Sequence, residues 1–170
     1  MSYVALPSTA PIKPTLRFML SHPAHVISLG FGSGLAPFAP GTFGTLLGWF
    51  LTRWLQPLVG DAVLFIGIAV ALVIGTWAAG VTGRSLGESD HGSIVCDEVI
   101  AMALITALLP GAVWKQAWAF LLFRLLDIRK PGPIGWVDRN VKGAFGVMLD
   151  DLIAALITLF IVALWIRVIG

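Results

Sequence analysis

From Ala62 to Gly83 the chain carries no charged residue, and most of that run is Ala, Val, Leu, Ile or Gly. As a helix it is long enough to cross a hydrocarbon core of about 30 Å, which takes about 20 residues. Composition points the same way. The 170 residues are 58% hydrophobic and 12% charged, against about 45–50% apolar and about 25% charged in an ordinary soluble domain. A chain this short cannot hide so much apolar surface from water, so a membrane is the natural solvent for the excess. The net charge of +2 is too small to imply nucleic acid, and no basic stripe with interleaved aromatics appears. The single cysteine, Cys96, rules out an internal disulfide.

A second long apolar run, Leu152 to Ile166, has Arg167 placed to snorkel at its far end. Thr42 to Leu58 is interrupted by Arg53, and Val99 to Ala112 ends at Pro110-Gly111. Gln116 to Leu126 carries Arg124 and is too short to cross alone. Residues from His25 to Gly44 are studded with glycine and proline, so a helix starting near His25 should break into a loop packed on protein. The predicted fold is all-α: an integral membrane bundle of four to five membrane helices plus a broken N-terminal helix. Residues 1–24 read as a cytosolic arm without a signal peptide's compact apolar core, and 25–170 as one helical domain. In that arrangement Lys13, Arg17, Arg84, Arg124, Arg129, Lys130, Arg139 and Lys142 fall on one side. Only Arg53, Lys115 and Arg167 fall on the other. The positive-inside bias makes the richer side cytosolic.

Eight of the nine acidic residues lie in or beside three polar clusters on that same side. They read DHGSIVCDE (Asp90 to Glu98), FRLLDIRKP (Phe123 to Pro131) and WVDRNVKGAFGVMLDD (Trp136 to Asp151), with Glu88 just ahead of the first. Acids at the mouth of an apolar run are expensive to desolvate, so a metal ion, a proton or a cationic partner is expected there. Carboxylates with no Cys/His cage suit a hard cation with oxygen ligands, chiefly Mg²⁺, and the candidates are Asp97, Glu98, Asp127, Asp150 and Asp151. Arg124, Lys130, Arg139 and Lys142 are candidates for holding phosphate oxygens. Together they suggest a phosphoryl-handling site in which Asp127, Glu98, Asp151 and Lys130 carry the chemistry.

Structural roles compete with these. One acid of each adjacent pair, Asp97-Glu98 or Asp150-Asp151, could cap a helix. Asp127, at the end of a helical run, could instead pair with Arg124 or Lys130. Glu88, Asp90 and Asp138 read as solvated loop residues, Asp61 as a turn residue on the far side, His91 as an incidental loop histidine, and Cys96 as a small buried thiol. His22 and His25 have no acidic neighbours and are assigned no metal. The stretch GFGSGLAPFAPGTFG (from Gly30) is no dinucleotide fingerprint, because Leu35 stands where a third glycine would fall. It could still offer backbone N–H groups to a phosphate, with Ser33 and Thr42 as helpers.

With GFGSGLAPFAPGTFG, HGSIVCDE (from His91), FRLLDIRKP and DRNVKGAFGVMLDDL (from Asp138) laid out, the chain resembles the phosphatidylglycerophosphatase A family over roughly residues 25–155. The resemblance implies dephosphorylation of phosphatidylglycerophosphate to phosphatidylglycerol in bacterial membranes, with Mg²⁺; the apolar runs and the basic-residue count make the expected protein a multi-pass one of the inner membrane whose site faces the cytosol. Other phosphatase chemistries lack their residues. Met102 stands where a cysteine phosphatase needs arginine, and there is no Asp-x-Asp pair. Two alternatives are a CDP-alcohol-type phosphatidyltransferase, of whose signature only Gly146-x-x-x-Asp150 is present, and a non-enzymatic transporter or channel.

Overall fold

The computed structural model describes residues 13–169. Two short helices, α1 (Leu16–Leu20) and α2 (Pro23–Ser28), lead into a 3-10 turn at Gly30–Leu35. Six further helices follow: α3 (Pro40–Val59), α4 (Asp61–Leu86), α5 (Cys96–Leu108), α6 (Val113–Arg129), α7 (Pro133–Asn140) and α8 (Ala144–Ile169). No strand occurs among the described residues, so the all-α expectation holds. Residues 1–12 of the expected arm lie outside the described residues, while Leu16–Leu20 of that arm is helical. The expected break after His25 is present, with Phe31 at φ 53° and Gly32 at φ 109° inside the 3-10 turn.

Among the described residues two helices, rather than four or five, are long and apolar enough to cross a membrane by length and composition: Asp61–Leu86 and Ala144–Val168. The 13 residues of α5 reach only about 20 Å, because the loop before Cys96 and the Leu109–Pro110–Gly111 turn cut it at both ends. Helix α6 carries Lys115, Arg124, Asp127 and Arg129, and α3 carries Arg53, Gln56 and Pro57. These helices close the bundle without being uniformly apolar.

Helices α3, α4, α5, α6 and α8 alternate in direction, so their connections gather at two ends. At one end Arg53 donates to the Gly111 carbonyl at 3.2 Å, and Gln56 donates to Asp61 at 2.9 Å. At the other end lie the starts of α3, α5 and α8 and the finish of α4 and α6. Helix α5 runs through the middle, packed on α3, α4 and α8. One core joins Met102 and Ile105 of α5 to Phe123 of α6, Ile134 of α7 and Ala154 and Ala155 of α8. A second joins Ala79, Cys96, Ile100 and Met148.

The α3–α5 contact depends on glycine. Gly41, Gly44 and Gly48 recur at spacings of three and four, which places them on one face of α3. A Cβ on Gly48 would come within 2.3 Å of the Val99 carbonyl oxygen, and one on Gly44 within 2.8 Å of Val95. Only a bare Cα lets the two backbones approach this closely. Thr45 and Thr52, buried nearby, turn their hydroxyls back onto the Gly41 and Gly48 carbonyls at 2.7 and 2.8 Å.

Candidate active site

The three acidic clusters and the glycine-rich stretch meet at the end of the bundle where α3, α5 and α8 begin. The first turn of α5 supplies Asp97 and Glu98, and Asp151 comes from α8. One carboxylate oxygen from each of these three lies within 4.8 Å of the others. Asp97 is 7% exposed and Asp151 is 4% exposed. Asp97 Oδ1, Glu98 Oε2 and Asp151 Oδ2 are all buried without a hydrogen-bond partner. With Arg124 Nε they make four of the five such side-chain atoms among the described residues, the fifth being Ser28 Oγ. Buried polar groups are normally paired, and an unpaired buried carboxylate is costly. Four of the five unpartnered atoms thus belong to residues gathered at one spot, where the three acids are spaced to hold a cation.

Burial pushes the Asp97 carboxyl well above the usual carboxylate range, and the Glu98 and Asp151 charges push it further. Glu98 is raised too, by burial first. Both shifts say that the cluster as it stands holds more negative charge than its surroundings tolerate.

Neither acid pair supplies an N-cap hydrogen bond, although Asp97 and Glu98 lie in the first turn of α5. Val95 is the N-cap of α5 and no side chain caps that helix. Helix α8 begins at Ala144, with no acid in its first turn, so Asp150 and Asp151 lie well inside it. Consecutive helical residues point about 100° apart, and the second pair divides accordingly. Asp151 joins the cluster, while Asp150 accepts from Lys130 Nζ at 2.5 Å.

Arg124 and Asp127 stand on the last turns of α6. Arg124 Nη1 donates to Asp127 Oδ2 at 2.7 Å and lies 3.4 Å from Glu98 Oε1. The ion pair that competed with a ligand role for Asp127 is thus formed. Gly41 abuts this group, since a Cβ there would fall 2.1 Å from Glu98 Oε1 and 2.9 Å from an Arg124 nitrogen. Thr45 Oγ1 is 3.5 Å from Arg124 Nη1.

Lys130 ends α6 with φ 44°, a left-handed conformation unfavourable for a side chain of its size. The strain turns its ammonium between Asp150 and Asp138, the latter at 2.6 Å. Burial alone would lower the lysine pKa, but the hydrogen bonds to Asp138 and Asp150 hold it above its usual range. Asp138, expected as a solvated loop residue, is therefore a partner of Lys130.

The five-acid ligand set thus resolves into three acids within reach of one ion, Asp97, Glu98 and Asp151, and two that hold cations, Asp127 and Asp150. Among the proposed phosphate-binding residues, Arg124 pairs with Glu98 of the cluster, and Lys130 pairs with Asp150, the residue next to Asp151. Arg139 is exposed on α7, and exposed Lys142 donates to the Asp138 carbonyl at 3.2 Å. Ser33 donates to the Gly30 carbonyl at 2.9 Å, and Thr42 is half-buried in the first turn of α3. Sequence reasoning missed Gly41, Thr45 and Asp138. The Gly41, Gly44, Gly48 spacing carried the signal for the first, as a close-packing face rather than a phosphate loop.

The remaining candidates are accounted for locally. His22 Nδ1 accepts from the Ala24 N–H and caps α2, and His25 Nδ1 lies 2.9 Å from Thr82 Oγ1. His91 Nδ1 accepts from the Ser93 N–H. Cys96 is buried as expected, and burial pushes its thiol up to about 12.

Residues 26–166 match the sequence profile of the family described as Phosphatidylglycerophosphatase A. A protein of that name from Escherichia coli is 42% identical over 146 residues, covering 84% of this chain and 83% of its own length. Another of that name, from Haemophilus influenzae, is 38% identical over 150 residues, covering 88% and 92%. A Bacteroides thetaiotaomicron protein provisionally named a phosphatidylinositol-3-phosphatase is 36% identical over 154 residues, covering 85% and 94%. No solved structure matches the chain.

Proposed function

The chain belongs to the phosphatidylglycerophosphatase A family, and we propose that it removes the terminal phosphate of phosphatidylglycerophosphate to leave phosphatidylglycerol, with Mg²⁺ at the Asp97–Glu98–Asp151 cluster. The observation that carries the metal assignment is that one carboxylate oxygen from each of Asp97, Glu98 and Asp151 lies within 4.8 Å of the others, in three residues that each keep a buried oxygen without a partner. Three oxygens with no nitrogen or sulfur donor fit a hard cation. Such an ion supplies positive charge to the phosphate oxygens and polarises the phosphoryl group.

The chain's own residues do the rest. Arg124, steadied by Asp127 and Glu98, faces the cluster with its Nε unsatisfied and is suited to gripping a phosphate oxygen. Lys130, kept charged by Asp138 and Asp150, adds a second positive group. Together they favour the extra negative charge that builds on the phosphoryl oxygens as the P–O bond breaks. Water supplies the oxygen that ends on inorganic phosphate, and the departing glycerol oxygen takes up a proton.

The substrate is a membrane lipid, and α4 and α8 are apolar enough to anchor the protein in its bilayer. The basic residues gathered at the cluster end favour a cytosolic orientation at the inner membrane. The acids lie at one end of the bundle rather than along a path through it, which disfavours a channel.

Phosphate release from phosphatidylglycerophosphate by the purified protein, with Mg²⁺ and then with excess chelator, tests both parts. Release that stops with chelator and returns with Mg²⁺ is expected. Full activity in chelator removes the ion from the mechanism, and no release under any condition removes the substrate.

A further inference from the structure

Helices α3 and α6 do not pack against each other along their length. Side chains bridge them at two levels instead. At the active-site end Arg124 of α6 reaches Thr45 of α3 at 3.5 Å. Towards the other end the Trp49 indole N–H donates to Gln116 Oε1 at 2.9 Å, and Arg53 donates to the same oxygen at 3.3 Å. Gln116 is only 2% exposed and is itself fixed by donating to the Leu109 carbonyl at 2.9 Å. Between the two bridges lies an open groove of about 290 Å³. Leu46 and Trp49 line it from α3, and Ala117, Phe120 and Leu121 line it from α6.

Helical spacing ties this groove to the cluster. On α6, Phe120 and Leu121 precede Arg124 by four and three residues, so they share its face. On α3, Trp49 lies four residues beyond Thr45 and continues its face, with Leu46 beside them at the groove's edge. The groove therefore starts one helical turn below the guanidinium and runs about 12 Å along α6 from Leu121 to Val113. A larger apolar groove of about 390 Å³ lies between α3, α4 and α5. It uses Val99, Ile100 and Ala103 of α5, whose mean direction on that helix is opposite to that of Asp97 and Glu98. The α3–α6 groove, by contrast, lies along the helix face that carries Arg124.

We infer that the α3–α6 groove is an acyl-chain subsite that seats one fatty-acid tail of the lipid substrate while its headgroup phosphate lies at Arg124. This rests on the lipid-phosphatase reading above. Its walls, apolar apart from the buried Gln116 amide that is tied to Trp49 and Leu109, suit a hydrocarbon chain. The charged head matches the polarity of a phospholipid from headgroup to tail, and the Trp49–Gln116–Arg53 knot gives the groove a foot. Loss of chain contacts in an apolar site weakens discrimination, whereas the headgroup contacts stay intact.

Ala117 is exposed on the groove wall, so Ala117→Trp fills the groove without disturbing the core. Leu46→Trp fills it from the opposite helix. The assay compares long-chain phosphatidylglycerophosphate in detergent micelles with the deacylated headgroup, glycerophosphoglycerophosphate, alongside a thermal melt. Both variants should lose roughly tenfold or more in kcat/KM on the long-chain lipid, mainly through KM, and keep wild-type rates on the deacylated compound. Unchanged long-chain kinetics in both variants would show that bulk lipid or nothing fills the groove and would overturn the subsite. Equal losses on both compounds would trace the effect to the fold and overturn it too. A wild-type protein that releases phosphate from neither compound fails the lipid-phosphatase reading itself, and the subsite with it.

Discussion

The two ends of the bundle handle polar groups in opposite ways. At the far end Arg53, Gln56, Asp61 and Gln116 are tied to one another or to backbone carbonyls. At the near end Asp97, Glu98, Asp151 and Arg124 each keep a buried atom with no partner. A satisfied network costs little to keep and does little chemistry, whereas an unsatisfied one is tolerated when something else completes it. The difference locates the site without appeal to any relative.

The sharpest way to break this comparison is to neutralise the near-end acids singly. Asp97→Asn, Glu98→Gln and Asp151→Asn should each reduce phosphate release by roughly a hundredfold or more. In metal-free buffer their melting temperatures should hold or rise, because each removes a buried like charge. Activity retained, or stability lost along with it, would make the acids structural. Next comes Lys130→Ala, expected to cost on the order of a hundredfold in turnover. Asp127→Asn should cost less, because Glu98 still holds Arg124, and Asp138→Asn less again, because Asp150 still holds Lys130. Steady-state kinetics on the three proteins rank them directly.

Acidity gives a third test. The raised carboxyls of Asp97 and Glu98 keep protons to higher pH than ordinary acids, and those protons compete with a cation. The competition eases as pH rises. Half-saturating Mg²⁺ should therefore fall as pH rises above the ordinary carboxylate range, by up to about tenfold per pH unit for each proton displaced. A flat Mg²⁺ requirement over that rise would mean that the ion binds elsewhere.

Packing and the far end supply the smaller effects. Gly48→Ala puts a methyl 2.3 Å from the Val99 carbonyl oxygen, forcing α3 and α5 apart at a cost of about 1–3 kcal/mol by denaturant unfolding. Asp61→Asn, which keeps an acceptor for Gln56, should leave turnover and stability within error of wild type. A strong activity loss there would erase the contrast between the ends.

Much of this was legible in the chain. The acids stood out because they interrupt apolar sequence, and three of the five candidates converge. The division of Asp150 from Asp151 was not legible, since it depends on α8 starting at Ala144, several residues before the apolar run suggests. Nor was the Lys130–Asp138 pair, which requires the backbone reversal at Lys130. The number of long apolar helices was overread because α5 is shortened by turns at both ends and α3 and α6 carry charges. Gly41 was read as part of a loop, although its role is to let α3 touch Glu98 and Arg124.

The central claim, that Asp97, Glu98 and Asp151 hold one divalent ion while Asp127 and Asp150 hold cationic side chains, is tested most directly by Mn²⁺ as a paramagnetic stand-in. Electron paramagnetic resonance counts bound ions in wild type, Asp151→Asn and Asp127→Asn without relying on turnover. Wild type and Asp127→Asn should bind Mn²⁺ with similar affinity, and Asp151→Asn should lose at least tenfold. Equal binding by Asp151→Asn, or loss confined to Asp127→Asn, would contradict the assignment.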